Sequence, residues 1–155
     1  MPTAPWLTEK QAENPLVVVN GILIDGKTAS GDVVISVDAD RIGEYAFSMN
    51  ENITSVTISE PITEIGADAF YNCPNLKNVT MANSVEYIRS SAFSDCPQLE
   101  SITFSKNIKD CGYGAFYDCP KLTGFTIPDE LDINLFNYTL GSYDEDYVIE
   151  VEYNG

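Results

Sequence analysis

The chain repeats itself every 23 residues, and this period constrains its fold more than any other feature of the sequence. Alanine–phenylalanine pairs recur at this spacing, at Ala46-Phe47, Ala69-Phe70, Ala92-Phe93 and Ala115-Phe116. A second apolar column has the same period and consists of Val33, Val56, Val79, Ile102 and Phe125. One such unit has an apolar face and nothing to bury it against, whereas stacked units bury that face on one another. The period therefore predicts a solenoid.

Each unit begins with apolar residues at alternate positions, such as Val79 and Met81, which is typical of a half-buried strand. The second half, for example residues 65–70, is too short for a stable free helix, and we interpret it as one helical or 3₁₀ turn. The three full units are residues 53–75, 76–98 and 99–121, with a partial unit before them and a decaying one after. We expect a β-rich solenoid of about five coils with a parallel sheet on one face.

Residues 1–30 have the pattern of an N-terminal cap. Two apolar runs flank Asn20-Gly21, which is the strongest short signal for a β-hairpin. Thr8 and Gln11 have the spacing of a capping box, which predicts a short helix over residues 9–13 that stops at Asn14-Pro15. We expect Trp6 to pack on the first coil.

Residues 132–155 are predicted to form the C-terminal cap, so that the repeat array occupies residues 31–131. Apolar and aromatic residues alternate with charged ones near the end of this segment, at Tyr147, Ile149, Val151 and Tyr153. The alternation predicts a closing strand with one charged face, which would protect an exposed sheet edge.

The unit L-x-x-V-T-I-x(n)-I-x-x-x-A-F-x-x-C-P resembles the BspA-like leucine-rich repeat over residues 31–131. The leader, from Pro5-Trp6-Leu7 to Lys27, is similar to segments that open such arrays in secreted proteins of anaerobic gut bacteria, some of them cellulosome-associated. The resemblance implies an extracellular or cell-surface protein that adheres to or assembles with other macromolecules, without catalysis by the repeats. Three positions depart from the repeat: Asn50, Arg89 and Cys111.

Charge and composition exclude several classes of function. The chain has 8 basic and 24 acidic residues, a formal net charge of −16, and no histidine. A surface this negative repels nucleic acid and anionic lipid. Without histidine the usual general base and the commonest transition-metal ligand are missing, and no nucleophile–base pair is visible. We therefore expect a non-catalytic protein without a cofactor, which neither binds nucleic acid nor inserts into a membrane.

Two groups of residues invite a metal-binding interpretation. The four cysteines are Cys73, Cys96, Cys111 and Cys119, and they lack both a C-x-x-C pair and a histidine, so buried apolar thiols are favoured over a zinc site. An acidic group near the C-terminus could hold calcium, although a charge run is more often a solvated face. Its members are Glu130, Asp132, Asp144, Glu145, Asp146, Glu150 and Glu152.

The outward column of the predicted strands is short, polar and uncharged. It includes Ser55, Thr57, Asn78, Thr80, Ser101 and Thr103. This ladder either only stabilises the sheet or forms the surface to which a protein partner binds, because solenoids commonly bind partners on such a face. The acidic residues on the other half of the coil are expected to form a solvated face of like charges: Asp68, Asp95 and Asp118, alongside Glu64, Glu86 and Asp110.

Three functions are compatible with this pattern. The first is a protein-interaction module for adhesion or for assembly of a bacterial surface or cellulosome-type complex. The second is a carbohydrate-binding module, for which Tyr45, Tyr71, Tyr87 and Tyr117 would supply stacking platforms. The third is a structural spacer within a larger secreted protein. The sequence leaves the partner and the oligomeric state open.

Overall fold

The computed structural model describes residues 4–128 and 150–154 of the chain. Within these residues it contains the following elements: α1 Pro5–Glu13, β1 Val17–Val19, β2 Ile22–Asp25, β3 Gly31–Ile35, β4 Arg41–Ile42, β5 Ile53–Ile58, β6 Glu64–Ile65, β7 Asn78–Met81, β8 Tyr87–Ile88, β9 Ser101–Thr103, β10 Asp110–Cys111, β11 Gly124–Pro128 and β12 Glu150–Asn154. No helix in this part of the chain is long and apolar enough to cross a membrane.

The longer strand of each coil belongs to a parallel sheet. Strands β3, β5, β7 and β9 lie side by side in this order and form what we call the front sheet. Residues one 23-residue period apart pair across neighbouring strands, as Val56 does with Val79 and Val79 with Ile102. Strand β11 packs next to β9 at the start of the fifth coil. The prediction of a solenoid with a parallel sheet on one face is confirmed, and its front sheet contains four strands, one for each turn.

A second sheet covers the opposite side of the coils. Strands β1, β2, β4, β6, β8 and β10 follow one another in it, and we call it the back sheet. Its members after β2 are only two residues long, and each places one isoleucine or cysteine in the core, as Ile65 does in β6. The apolar interior therefore lies between two sheets, and each coil adds one strand to both.

The prediction of a helical or 3₁₀ turn over residues 65–70 is wrong. Ile65 belongs to β6, and the residues after it form successive β-turns. The backbone N–H of Phe70 donates to the carbonyl oxygen of Ala92 in the next coil at 2.8 Å, and that of Asp68 donates to Ser90 at 3.1 Å. Because these groups bond between coils, they are not free to bond along a helix.

Two columns of left-handed backbone shape these turns. One consists of Tyr45, Asp68, Ser91 and Gly114, and the other of Met49, Asn72, Asp95 and Asp118, all with φ between 51° and 63°. Glycine, asparagine and aspartate adopt this conformation most readily. Most coils place such a residue there, whereas the first coil has tyrosine and methionine, which are poorly suited to it.

Stacked phenylalanine rings form the axis of the core. Ring centroids are 4.7 Å apart for Phe47 and Phe70, 5.0 Å for Phe70 and Phe93, and 5.4 Å for Phe93 and Phe116, and the rings are within 11° of parallel. All four side chains are fully buried. Phe125 packs against Phe116 at 6.2 Å and continues the aromatic cluster toward the C-terminal end.

The N-terminal cap contains the predicted hairpin and a longer helix than predicted. Strands β1 and β2 are antiparallel and meet at Asn20-Gly21, both with positive φ, so the hairpin prediction is confirmed. The helix ends before Asn14 as expected, but it begins at Pro5, with Ala4 as its N-cap. The prediction of Thr8 as the N-cap is wrong, because the fixed φ of proline favours a helix start one turn earlier.

The helix covers little of the first coil. None of its residues is buried, and Trp6 is 51% exposed, so the prediction that Trp6 packs on the first coil is wrong. The side-chain amide of Gln11 donates to Asp25 at 2.9 Å. Gly26, rather than Trp6, covers the end of the aromatic stack, since a Cβ on it would lie 2.1 Å from the Phe47 ring.

Asn50 joins the cap to the array. Its side-chain N–H groups donate to the carbonyl oxygens of Gly26 at 3.0 Å and Ala29 at 2.9 Å. Its side-chain oxygen accepts from the backbone N–H groups of Asn52 at 2.8 Å and Ile53 at 3.1 Å. The buried amide therefore satisfies four hydrogen-bonding partners where the first coil meets the cap.

A parallel strand pair lies at the C-terminal end. Strand β12 pairs with β11, with Phe125 beside Val151 and Ile127 beside Tyr153. The predicted closing strand is therefore confirmed over the residues of β12. The start predicted at Tyr147 and the rest of residues 129–149 lie outside the described residues, and the boundaries at 31 and 131 stay predictions.

We expect Phe93→Ala to lower the free energy of unfolding by about 3–5 kcal/mol, because it opens a cavity in the middle of the aromatic stack. The loss should be seen as one cooperative transition in chemical denaturation, since each coil depends on its neighbours. Val34→Ala, at an exposed position on the front sheet, is the control and should change stability little. A loss below about 1 kcal/mol for Phe93→Ala would contradict the stacked core.

We also expect Met49→Asn to raise the free energy of unfolding by about 1 kcal/mol, because asparagine tolerates the φ of 60° at this exposed position better than methionine does. The reciprocal variant Asn72→Met, one coil further on, should be destabilised to a similar extent. Both are measured as shifts in the denaturation midpoint at constant slope. A Met49→Asn protein no more stable than the parent would show that the turn is not limited by its backbone.

Candidate interaction surfaces

The structure brings the six predicted site residues together on the front sheet. Ser55, Asn78 and Ser101 lie side by side on β5, β7 and β9, and Thr57, Thr80 and Thr103 form the adjacent row. All are exposed except Ser55, which is partly buried. We call these six residues the front strip. It is a polar surface without a charged side chain.

The front strip ends at an acidic residue that the sequence reasoning missed. Asp32 on β3 pairs with Ser55, and its carboxylate accepts hydrogen bonds from Ser55 at 2.7 Å and Thr54 at 2.9 Å. These two hydroxyl groups lower the pKa of Asp32. Asp32 precedes Ser55 by one 23-residue period, so the sequence could have predicted that the two residues are neighbours on the front sheet.

The back sheet carries an ion-pair cluster instead of unpaired like charges. The Arg89 guanidinium donates to the Glu64 carboxylate and lies 3.9 Å from Asp110, and Lys109 pairs with Glu86 at 2.8 Å. The hydrogen bond to Glu64 and the charges of both acids raise the pKa of Arg89. The expectation that Glu64, Glu86 and Asp110 form a solvated face of like charges is therefore wrong, because a cation from a neighbouring coil lies close to each of them.

The four tyrosines considered for carbohydrate binding do not form a common platform. The Arg89 guanidinium lies 4.9 Å from the centre of the Tyr87 ring and covers one of its faces. Tyr71 and Tyr117 are partly buried, whereas Tyr45 is exposed on the first coil. The interpretation of these residues as a row of sugar-stacking rings receives no support from their arrangement.

The cysteines are buried, free thiols, as the packing interpretation predicts. Three of them also donate to carbonyl oxygens of the preceding coil, which the sequence reasoning missed: Cys73 to Phe47, Cys96 to Phe70 and Cys119 to Phe93, at 3.1–3.2 Å. The neighbouring thiols of Cys119 and Cys73, together with burial, raise the pKa of Cys96 well above its usual range. Cys96 is therefore protonated at neutral pH and available as a donor.

The described residues contain no group of three or more cysteine, aspartate or glutamate side chains suited to hold a metal ion. Most of the acidic group considered for calcium, including Asp144, Glu145 and Asp146, lies outside the described residues. The side chains of Glu150 and Glu152 are likewise not described, although their backbone belongs to β12.

The coil of one long strand, one short strand and stacked apolar columns defines a repeat solenoid of the leucine-rich repeat class. The chain belongs to the family described as the BspA type leucine rich repeat region, whose repeat matches six times over residues 27–140. The resemblance seen in the sequence is thereby confirmed. No curated protein matches the chain at a significant level.

Solved structures of bacterial leucine-rich repeat proteins share this fold. The Treponema pallidum leucine-rich repeat protein TpLRR is 21% identical with a TM-score of 0.65, covering 78% of this chain and 56% of that one. The pneumococcal vaccine antigen PcpA is 20% identical with a TM-score of 0.69, covering 87% and 34%. A leucine-rich cell surface protein of Faecalibacterium prausnitzii is 20% identical with a TM-score of 0.54, covering 80% and 48%. The matched region thus spans about half or less of each of these proteins.

If the thiols are buried hydrogen-bond donors, thiol titration of the unreduced protein should find four reactive groups after denaturation and few before it. Burial keeps all four thiols from reacting in the native protein, and the raised pKa of Cys96 also keeps that thiol protonated. Intact-mass measurement before and after alkylation gives the count. Two or fewer reactive groups in the denatured, unreduced protein would reveal a disulfide and contradict this arrangement.

Proposed function

We propose that the chain is a non-catalytic, extracellular or surface-exposed module that binds a protein partner through the front strip. The observation that supports this is the register of the six residues, which places short uncharged side chains over three consecutive strands. The chain has a net charge of −16, whereas these six side chains carry no charge.

The physical chemistry of the front strip favours docking. Serine, threonine and asparagine lose little side-chain entropy when they are covered, and their hydroxyl and amide groups both donate and accept hydrogen bonds. Covering them desolvates few charges, which avoids the penalty that a docked partner would meet on an acidic face. A partner with exposed polar groups therefore fits the front strip better than it fits an acidic face.

The setting is proposed from the family. Among the structures with the same fold, one is named as a cell surface protein and another as a vaccine antigen, and this chain corresponds to only part of each. Adhesion or assembly of a bacterial surface or cellulosome-type complex is consistent with a repeat region carried by a longer protein. Free thiols in a secreted protein are consistent with an anaerobic environment.

The Thr80→Lys and Thr103→Lys double variant should bind the partner at least tenfold more weakly, equivalent to about 1.4 kcal/mol, while its melting temperature stays nearly unchanged. Two lysines would place long charged side chains in the middle of the front strip. Parent and variant are used as baits for the cell-envelope fraction of the organism that encodes the chain. The protein retained by the parent is then measured by calorimetry.

The matched control is the Thr28→Lys and Ser30→Lys double variant, which adds the same charge at exposed positions outside both the front strip and the back-sheet groove. It should bind as the parent does. Equal affinity of the Thr80→Lys and Thr103→Lys variant would remove the front strip from the interface. Retention of polysaccharide instead of protein would favour the carbohydrate-binding function.

A further inference from the structure

A groove crosses the back sheet along the axis of the solenoid. It encloses about 540 Å³, and its floor is the backbone of Gly43 and Gly66 on two consecutive coils. Ile22 and Ile24 close the N-terminal end, and Arg89 stands at the other end. The groove exists because Gly43 and Gly66 have no side chains, whereas Ile24 on one side of them and Arg89 on the other do.

The glycine floor is required by the packing of the coils. A Cβ on Gly66 would lie 2.7 Å from the carbonyl oxygen of Ile42, and a Cβ on Gly43 would lie 3.1 Å from that of Leu23. These distances are shorter than or at the limit of ordinary contacts. A side chain at Gly66 would therefore move the coils apart, whereas the equivalent position of the next coil holds Arg89.

Both arginines of the chain line this groove. Arg89 is engaged with Glu64 and lies near Asp110, as described above. Arg41 is exposed on β4, and within the described residues no ion pair or side-chain hydrogen bond involves its guanidinium. It stands beside Glu64 on the sheet and also borders a second depression that reaches the hairpin turn at Asn20 and Gly21. Arg41 is thus an unpaired cation at the centre of a concave surface.

The acidic groups around Arg41 leave its charge available. Glu64 is neutralised by Arg89, and the Asp40 carboxylate lies against Gly21 in the hairpin turn. Glu44 is the remaining acidic residue that lines the groove. The charged side chains that line the groove are therefore two arginines and two glutamates, whose charges cancel in a protein whose net charge is −16.

We infer that this groove binds an extended acidic peptide segment, with a carboxylate of the peptide paired to the Arg41 guanidinium and an adjacent aliphatic side chain resting on Ile22 and Ile24. Guanidinium and carboxylate form two parallel hydrogen bonds, a geometry that arginine provides and lysine does not. The apolar end of the groove is aliphatic, and no aromatic ring lines it, which favours a peptide over a sugar. This site is separate from the front strip and does not depend on the proposed function.

The probe is a fluorescein-labelled, capped hexapeptide of alternating leucine and glutamate, titrated with the whole chain at 0.15 M salt. At this ionic strength repulsion beyond about 8 Å is screened, so the net charge of the protein does not mask a local contact. We expect saturable binding that Arg41→Ala weakens at least tenfold and that Arg41→Lys restores only in part. Glu44→Gln should strengthen binding two- to threefold by removing the remaining negative charge. Lys77→Ala, which removes a cation outside the groove, is the matched control and should have no effect.

The inference is overturned if the parent does not bind the probe, if the same peptide with glutamine in place of glutamate binds equally well, or if Arg41→Ala binds as the parent does. Binding of oligogalacturonate but not of the peptide would assign the groove to an acidic glycan and also overturn it. The melting temperature of each variant is measured in parallel, and Arg41→Gln replaces Arg41→Ala if the alanine variant is destabilised. None of these outcomes bears on binding to the front strip, so the two proposals are tested separately.

Discussion

Each coil of this solenoid buries its apolar side chains only because a coil of the same shape lies 23 residues further on. The stacked phenylalanines show this constraint most directly, since Phe70 and Phe93 each have the equivalent ring of a neighbouring coil on both faces, at spacings of 4.7–5.4 Å. Equal shape requires an equal backbone path. The left-handed residues of the turns, such as Asp95 and Asp118, and the close approach of coils at Gly66 and Gly112 follow from it. Both surfaces proposed for binding are consequences of this repetition.

The periodicity made the front sheet predictable, including the register of the front strip, because residues one period apart become neighbours in a parallel stack. It made the turns less predictable. Residues 65–70 are compatible with a helical turn when considered alone, but their backbone groups bond to the neighbouring coil. The helix start at Pro5 was missed for a related reason: two local signals competed, and proline at the first position prevailed over the capping box at Thr8. Local patterns were reliable where stacking reinforced them.

The sequence could have predicted which residues line up in the back-sheet groove, but not the contacts that their side chains make. Arg41, Glu64, Tyr87 and Asp110 share one column, and Arg89 shares the next with Gly43 and Gly66, so both rows were present in the repeat. The 23-residue period does not predict the direction in which a long side chain points. Arg89 reaches back one coil to Glu64 and covers the Tyr87 ring, and only the structure shows that this leaves Arg41 as the unpaired arginine of the groove.

The departures from the repeat occur where the neighbour of a coil changes. Cys73 donates one hydrogen bond to the carbonyl oxygen of Phe47, and a thiol, with a single hydrogen, suits one acceptor. In the first coil the equivalent position faces two acceptors of the cap, Gly26 and Ala29, and Asn50 supplies the two N–H donors that they need. Asn50 therefore stands in the cysteine column because its coil is the one that contacts the cap. By the same logic Arg89, in a glycine column, marks the coil at which the groove ends.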